Sequence, residues 1–161
     1  AHDPMNRTNE ERRILSSVSF GYPHGVAAAA MVADAGSGVI GSLPQAVAAD
    51  DFVIGVKKQF DVECAMCNEL LRRPIRRVAI CGGAGDFLLG EAIKAGADAF
   101  VTGEMHYHVY FGHEQEIQIC VIGHYQSEQY TNEIFKSIIG EACPDLPLFL
   151  AETNTNPIIY L

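Results

Sequence analysis

The chain has 161 residues, enough for one domain with its own core, and its 48% hydrophobic and 19% charged residues are an ordinary globular mix. Eleven basic against 20 acidic residues give a net charge of −9, which argues against a surface built to neutralise nucleic-acid phosphates. No apolar run approaches the ~18 residues of a membrane span, and the polar start has no apolar stretch of the signal-peptide kind. Of five cysteines, Cys81 and Cys120 sit inside apolar runs, where cysteine acts as a small buried hydrophobe. Such free-thiol usage is that of a reducing compartment, so a cytoplasmic protein is expected.

In chain order, Asn9 to Leu15 reads as a short helix, Ser17 to Tyr22 as a weak strand and Pro23-His24-Gly25 as a turn. Val26 to Asp34 is alanine-rich and fits helix or strand. The run from Gly36 to Gly41 matches G-x-G-x-x-G superficially, but no apolar strand precedes it and Pro44 follows where a helix would open. A glycine turn or close backbone approach is expected instead of a dinucleotide site. Ala48 to Phe60 spaces Phe52, Val53, Val56 and Phe60 as an amphipathic helix, with Asp50 or Asp51 as its cap.

Asp61 to Met66 reads as a strand running into Cys64-Ala65-Met66-Cys67. A zinc role for this C-x-x-C needs a second ligand pair that the sequence lacks, and a redox role needs a helix start; the pair reads as incidental. Arg72, Arg73, Arg76 and Arg77 around Pro74 read as a solvated linker.

Three apolar runs follow, each ending at a glycine turn: Val78 to Cys81, Ala99 to Val101 and Ile119 to Ile122, within strands expected over Arg77 to Cys81, Asp98 to Val101 and Gln118 to Ile122. Runs of this length bounded by turn residues are buried strands, and a helix-like segment after each marks a parallel α/β sheet. Helices are expected over about Asp86 to Ala95, over Met105 to Phe111 and, after the segment Gly123 to Glu128, on to about Ile139 with Ser127 as its cap; a start at Gly123 instead would let His124 and Glu128 meet. Pro144 to Ala151 is expected to give a final strand, ahead of a polar tail. Function in such sheets collects beyond the carboxyl ends of the strands, where this chain carries Asp86, Glu104, His106, His108, His124 and Glu128. His124 and Glu128 stand four apart, as do Glu104 and His108, so each pair is placed to share a helix face. The first pair reads as half of a metal site or as a structural hydrogen bond. His106 and His113 read as surface residues.

The segments V-A-I-C-G-G-A-G-D, G-A-D-A-F-V-T-G-E-M-H-Y-H and I-G-H-Y-Q-S-E together resemble the C-terminal part of the dinuclear-metal-centre family. The family also goes by GTP cyclohydrolase I type 2 and NGG-interacting-factor-three-like. The resemblance runs from about residue 36 to 161, with G-S-G-V-I-G-S-L-P before the helix as further support. It implies an α/β domain over residues 36–161 forming the C-terminal half of a larger two-half fold, and a poorly defined segment 1–35, possible remnant of an inserted domain. It implies that His124 and Glu128 are ligands of a dinuclear site for divalent ions such as zinc, iron or manganese. Glu104 and His108 are implied as neighbours of that site, placed to assist proton transfer. The paired histidines and the aspartate that complete the family's site have no counterpart in this sequence, so the site is expected to be partial and this chain alone inactive. The family's hexamers imply a homo-oligomer, and no nucleic-acid or membrane partner is expected.

Three functions follow. The first is the C-terminal domain of a metal-dependent, hydrolase-like protein acting on an unidentified small molecule. The second is a non-catalytic metal-binding or regulatory module. The third, a nucleotide-binding module built on Gly82 to Gly85, has the least support.

Overall fold

A computed structural model describes residues 36–159 of the chain. The expectations for Asn9 to Leu15, Ser17 to Tyr22 and Val26 to Asp34 lie outside the described residues. Within them the chain folds as β1 (Val39–Val47), α1 (Ala49–Gln59), β2 (Met66–Cys67), β3 (Ile75–Ala84), α2 (Leu89–Lys94), β4 (Ala99–Glu104), β5 (Gln118–Val121), α3 (His124–Glu128) and α4 (Thr131–Ala142). Single 3-10 turns occupy Asp86–Leu88 and Tyr107–Tyr110. The strands make one sheet in the order β1-β3-β4-β5-β2.

The central three strands are parallel, as their apolar runs predicted. Continuous apolar strands need cover on both faces, and both faces are covered. On one side Ala79, Phe100, Ile119 and Val121 pack under Leu88, Leu89 and Ala92. On the other, Val78, Val101 and Cys120 pack against Phe52 and Val56, the buried stripe of α1. The alternation along each strand divides the two layers. No side-chain cap is made at Ala48, the residue preceding α1; the first-turn acids Asp50 and Asp51 favour the helix N-terminus through its dipole alone.

Both edge strands run antiparallel, which the sequence did not reveal. Gly41 of the glycine-rich run pairs with Val78 in the β1–β3 ladder, so the run builds an edge strand, with its register shift between Ser42 and Val47. A close backbone approach is present at Gly38, where an added Cβ would lie 3.1 Å from the Ile80 carbonyl. At the other edge the expected strand 61–66 shrinks to Met66 and Cys67 opposite Val121 and Cys120. Side chains fix that edge. Asn68 donates to the Ile117 carbonyl (2.8 Å) and accepts from the Ile119 amide (2.9 Å). Gln118, fully buried, accepts from the Leu71 amide (3.0 Å) and donates to Asn68 Oδ1 (2.9 Å). The arginine cluster is less free than a solvated linker: Asp98 accepts from the Arg76 and Arg77 amides and pairs with Arg73.

Three further expectations are corrected. Met105 to Phe111 holds only a 3-10 turn, so Glu104 and His108 do not share a helix face; Glu104 closes β4. The segment ahead of the expected Ser127-capped helix is itself helical: α3 covers His124–Glu128, and the long helix α4 begins only at Thr131. Pro144 to Ala151 makes no strand among the described residues; Pro144 and Pro147 have no N–H to give a ladder. Among the described residues no helix is long and apolar enough to cross a membrane. The outer side of α4 leaves Ile134, Phe135, Ile138 and Ile139 exposed, together with Leu146 and Phe149 beyond it.

Candidate functional site

The carboxyl ends of β3, β4 and β5 lie side by side because the three strands are parallel, with Thr102 opposite Val121 and, after a register shift in β3 between Cys81 and Ala84, Ala84 opposite Glu104. Each strand delivers chemistry at its end. β4 stops at Glu104, β5 passes through Gly123 (φ 98°) into α3, and β3 ends in the glycine turn before Asp86. Gly123 takes a conformation that side chains with a Cβ disfavour, and this lets α3 start immediately at His124.

Two glycines bring α3 onto the strand ends. A Cβ at Gly83 would stand 2.7 Å from Glu128 Oε1, and one at Gly103 would stand 2.5 Å from Ser127 Oγ and 2.7 Å from the Gly83 carbonyl. Ser127 uses that closeness. Its hydroxyl accepts from the Gly83 amide (2.9 Å) and donates to the His124 carbonyl (2.8 Å). Ser127 is therefore a clamp inside α3 and not the helix cap expected from the sequence. The same bond removes the Gly82 to Gly85 turn as a phosphate cradle. The Gly83 amide is taken by Ser127, and the Gly85 amide by the Gly83 carbonyl and Thr102 Oγ1. With these two amides engaged inside the fold, the turn lends no support to the nucleotide-binding expectation.

His124 stands at the centre. Its Nδ1 lies 3.2 Å from Glu104 Oε1, and its Nε2 lies 3.3 Å from Glu128 Oε2. The i,i+4 spacing brings Glu128 to one ring nitrogen, and the β4–β5 register brings Glu104 to the other. All three side chains are about half exposed and border a cleft of about 550 Å³ also lined by Tyr125, Asn132 and Thr153. A neutral imidazole has one N–H and one lone pair, so it can donate to one carboxylate while its other nitrogen stays available to an ion.

An adjoining recess of about 380 Å³ runs from Glu104 and His124 to Asp86 and His106. His106 Nδ1 pairs with Asp86 Oδ2, and the His106 amide reaches the same oxygen at 3.4 Å. Hydrogen bonding from His106 holds the Asp86 carboxyl below the usual carboxylate range, and Asp86 in turn raises His106 above the usual imidazole range. The sequence reading placed His106 at the surface; it is exposed, but it is also the partner of Asp86. The signal that could have found it is its place two residues past a strand end, beside the end of the neighbouring parallel strand. His108 stacks obliquely on His106, with ring centroids 5.7 Å apart. His113 pairs with Glu116 (2.7 Å), away from the cleft.

The donor set of His124, Glu128 and Glu104 is one that zinc or manganese accepts. Among the described residues, no group of three or more His, Cys, Asp or Glu side chains is arranged to hold an ion. Glu104 and Glu128 address opposite edges of one ring, so the three side chains do not close a site among the described residues.

Comparison with known proteins follows the same lines. The chain is 32% identical over 130 residues to a GTP cyclohydrolase 1 type 2 homolog of Staphylococcus epidermidis, covering 78% of this chain and 35% of that protein. It is 30% identical over 107 residues to the homolog of Campylobacter jejuni, covering 65% of this chain and 42% of that protein. The chain thus spans well under half the length of these relatives. In three dimensions it is similar to Staphylococcus aureus protein SA1388, with a TM-score of 0.71 at 24% identity over 77% of this chain and 43% of that one, a likeness of fold. It is also similar to a Bacillus cereus protein related to NIF3, with a TM-score of 0.62 at 28% identity over 77% of this chain and 36% of that one. Residues 3–157 match the family described as Duf34/NIF3 (NGG1p interacting factor 3), and the chain belongs to that family.

Proposed function

We propose that this chain supplies one side of a dinuclear divalent-metal site in a hydrolase-like protein, with His124 and Glu128 as its ligands. One observation carries the reading: His124 stands at the parallel strand ends with a carboxylate at each ring nitrogen. Glu128, one helical turn from His124, shares its side of the cleft. A divalent ion bound there would supply Lewis acidity and an activated water. Glu104 orients the imidazole through Nδ1 and holds a proton beside the ligand. His108, exposed and beside His106, which lines the adjoining recess, is the second residue proposed for proton transfer.

Further ligands come from outside this chain, since its own donors address one ring from two sides and the chain covers only 35% and 42% of the two matched relatives. The exposed apolar side of α4 supports assembly with further polypeptide, including copies of the same protein in a homo-oligomer. The relatives' name, GTP cyclohydrolase 1 type 2 homolog, makes a nucleotide the first substrate to try on the whole protein. That exposed side also favours a second reading, a non-catalytic metal-binding module whose task is interaction.

The test is elemental analysis of the full-length protein, wild type against the His124→Ala/Glu128→Ala double variant. Loss of at least one ion per chain is expected. Full occupancy in the double variant, with the fold intact, overturns the ligand assignment.

A further inference from the structure

At the β2 edge of the sheet, next to Met66, which lines the recess beside His124, two cysteines meet that are 53 positions apart in sequence. Cys67 of β2 and Cys120 of β5 are direct partners in an antiparallel ladder. Residues opposite one another in such a ladder project to the same face, with Cα atoms roughly 4.5–5.5 Å apart. That separation falls in the range a disulfide spans without backbone movement. Both side chains belong to the layer beneath α1, with Cys120 fully buried and Cys67 half-buried. The register cannot drift, because Asn68 and Gln118 bolt the turn after β2 to β5 through four hydrogen bonds.

The two thiols differ in character. A hydrogen bond from Cys120 lowers Cys67 below the usual thiol value, against the opposing effect of burial. Cys120 is pushed up, by its bond to Cys67 first and by burial second. Cys67, the less buried of the two residues, is therefore the better nucleophile and the enclosed Cys120 is its natural second partner.

We propose that Cys67 and Cys120 are a thiol–disulfide modification site, closing a reversible cross-strand bond by exchange with a low-molecular-weight disulfide such as oxidised glutathione. The Cys67 thiolate attacks one glutathione sulfur and releases the other half as a thiol, leaving a mixed disulfide on Cys67. Cys120 then gives up its proton, attacks the Cys67 sulfur, and expels the second glutathione. Two protein thiols are oxidised, one small disulfide is reduced to two thiols, and the two protons end on those thiols. The bond fastens the two-residue β2 to β5, the strand that leads into Gly123 and His124.

The C-x-x-C spacing offers a competing pairing, Cys64 with Cys67, and the two separate cleanly. Trypsin leaves Cys64 and Cys67 on the peptide 59–72 and Cys120 as the one cysteine of the peptide 95–136. The folded 161-residue chain is incubated with oxidised glutathione, alkylated, digested and mapped by mass spectrometry without reductant. The expected dominant product joins 59–72 to 95–136 with loss of two hydrogens. It persists in Cys64→Ser, is lost in Cys67→Ser, and reverts with dithiothreitol. Dominance of the link disappears when the same reaction is run in urea. A Cys64–Cys67 bridge within 59–72, a stable glutathione adduct on Cys67 with Cys120 still free, or an unreactive Cys67 would each overturn the proposal.

Discussion

Replacing Ser127 by alanine tests the clamp that seats α3 on the strand ends. The substitution deletes one oxygen, so it opens little space and introduces no clash. It removes the acceptor of the half-buried Gly83 amide (2.9 Å) and a donor to the His124 carbonyl (2.8 Å). A polar group left unpaired under partial cover costs about 1–3 kcal/mol, and the exposed side of this site places the loss at about 1–2 kcal/mol on the same basis. For a chain of this size that lowers the melting temperature by roughly 2–8 °C. It also speeds hydrogen exchange at the Gly83 amide by roughly 5–30-fold, a factor that follows from the same free energy. Thermal melts and amide exchange of the two proteins side by side read both effects. A melting temperature within 1 °C of wild type by this comparison, with unchanged protection at Gly83, would refute the clamp.

Gly103→Ala should be harsher than Ser127→Ala, because its methyl would sit 2.5 Å from Ser127 Oγ and 3.0 Å from His124 Cα. The expected readout is displacement of the α3 resonances together with reduced stability; an unperturbed α3 would show that the close approach is not required. Phe100→Ala, at 1% exposure in the layer under α2, should lose about 3–5 kcal/mol in denaturant unfolding. A loss under about 1 kcal/mol would contradict that core assignment. For the Asp86–His106 pair the sign follows from the two shifts. Asp86 is depressed, so its contribution is present above the ordinary carboxylate range and is lost as pH falls through its lowered value. His106 is raised, so its contribution is full below the ordinary imidazole range and is lost as pH rises through its elevated value. The pair should therefore be strongest in mildly acidic solution, and NMR titration should return His106 toward its ordinary range in Asp86→Asn. An identical His106 titration in the variant would remove Asp86 as the cause.

The parts of the fold legible in the sequence were those whose side chains obey one environment. β3, β4 and β5 are covered on both faces, so they appear as unbroken apolar runs, and α1 buries one stripe, so Phe52 and Val56 mark it. β1 was hidden because an edge strand tolerates Gly41, Ser42 and Pro44, which read as a turn. β2 was expected over 61–66 and its true bounds were not legible, because its two residues are held by Asn68 and Gln118, whose partners lie about fifty positions away. The same holds at the candidate site. The His124–Glu128 contact is local and could be read from a four-residue spacing, given a helix that opens at Gly123. Glu104 against His124, and Asp86 against His106, depend on the lateral register of parallel strands, which no local pattern encodes. The spacing of Glu104 and His108 misled because it presumed a helix where the chain makes a 3-10 turn.

The most direct test of the central claim is a manganese titration of this chain, followed by paramagnetic broadening of its histidine ring signals. The account predicts that His124 broadens first, that His113 is spared, and that His124→Ala abolishes the effect. Broadening centred on His113 and Glu116, or a His124 ring untouched at saturating manganese, would contradict it.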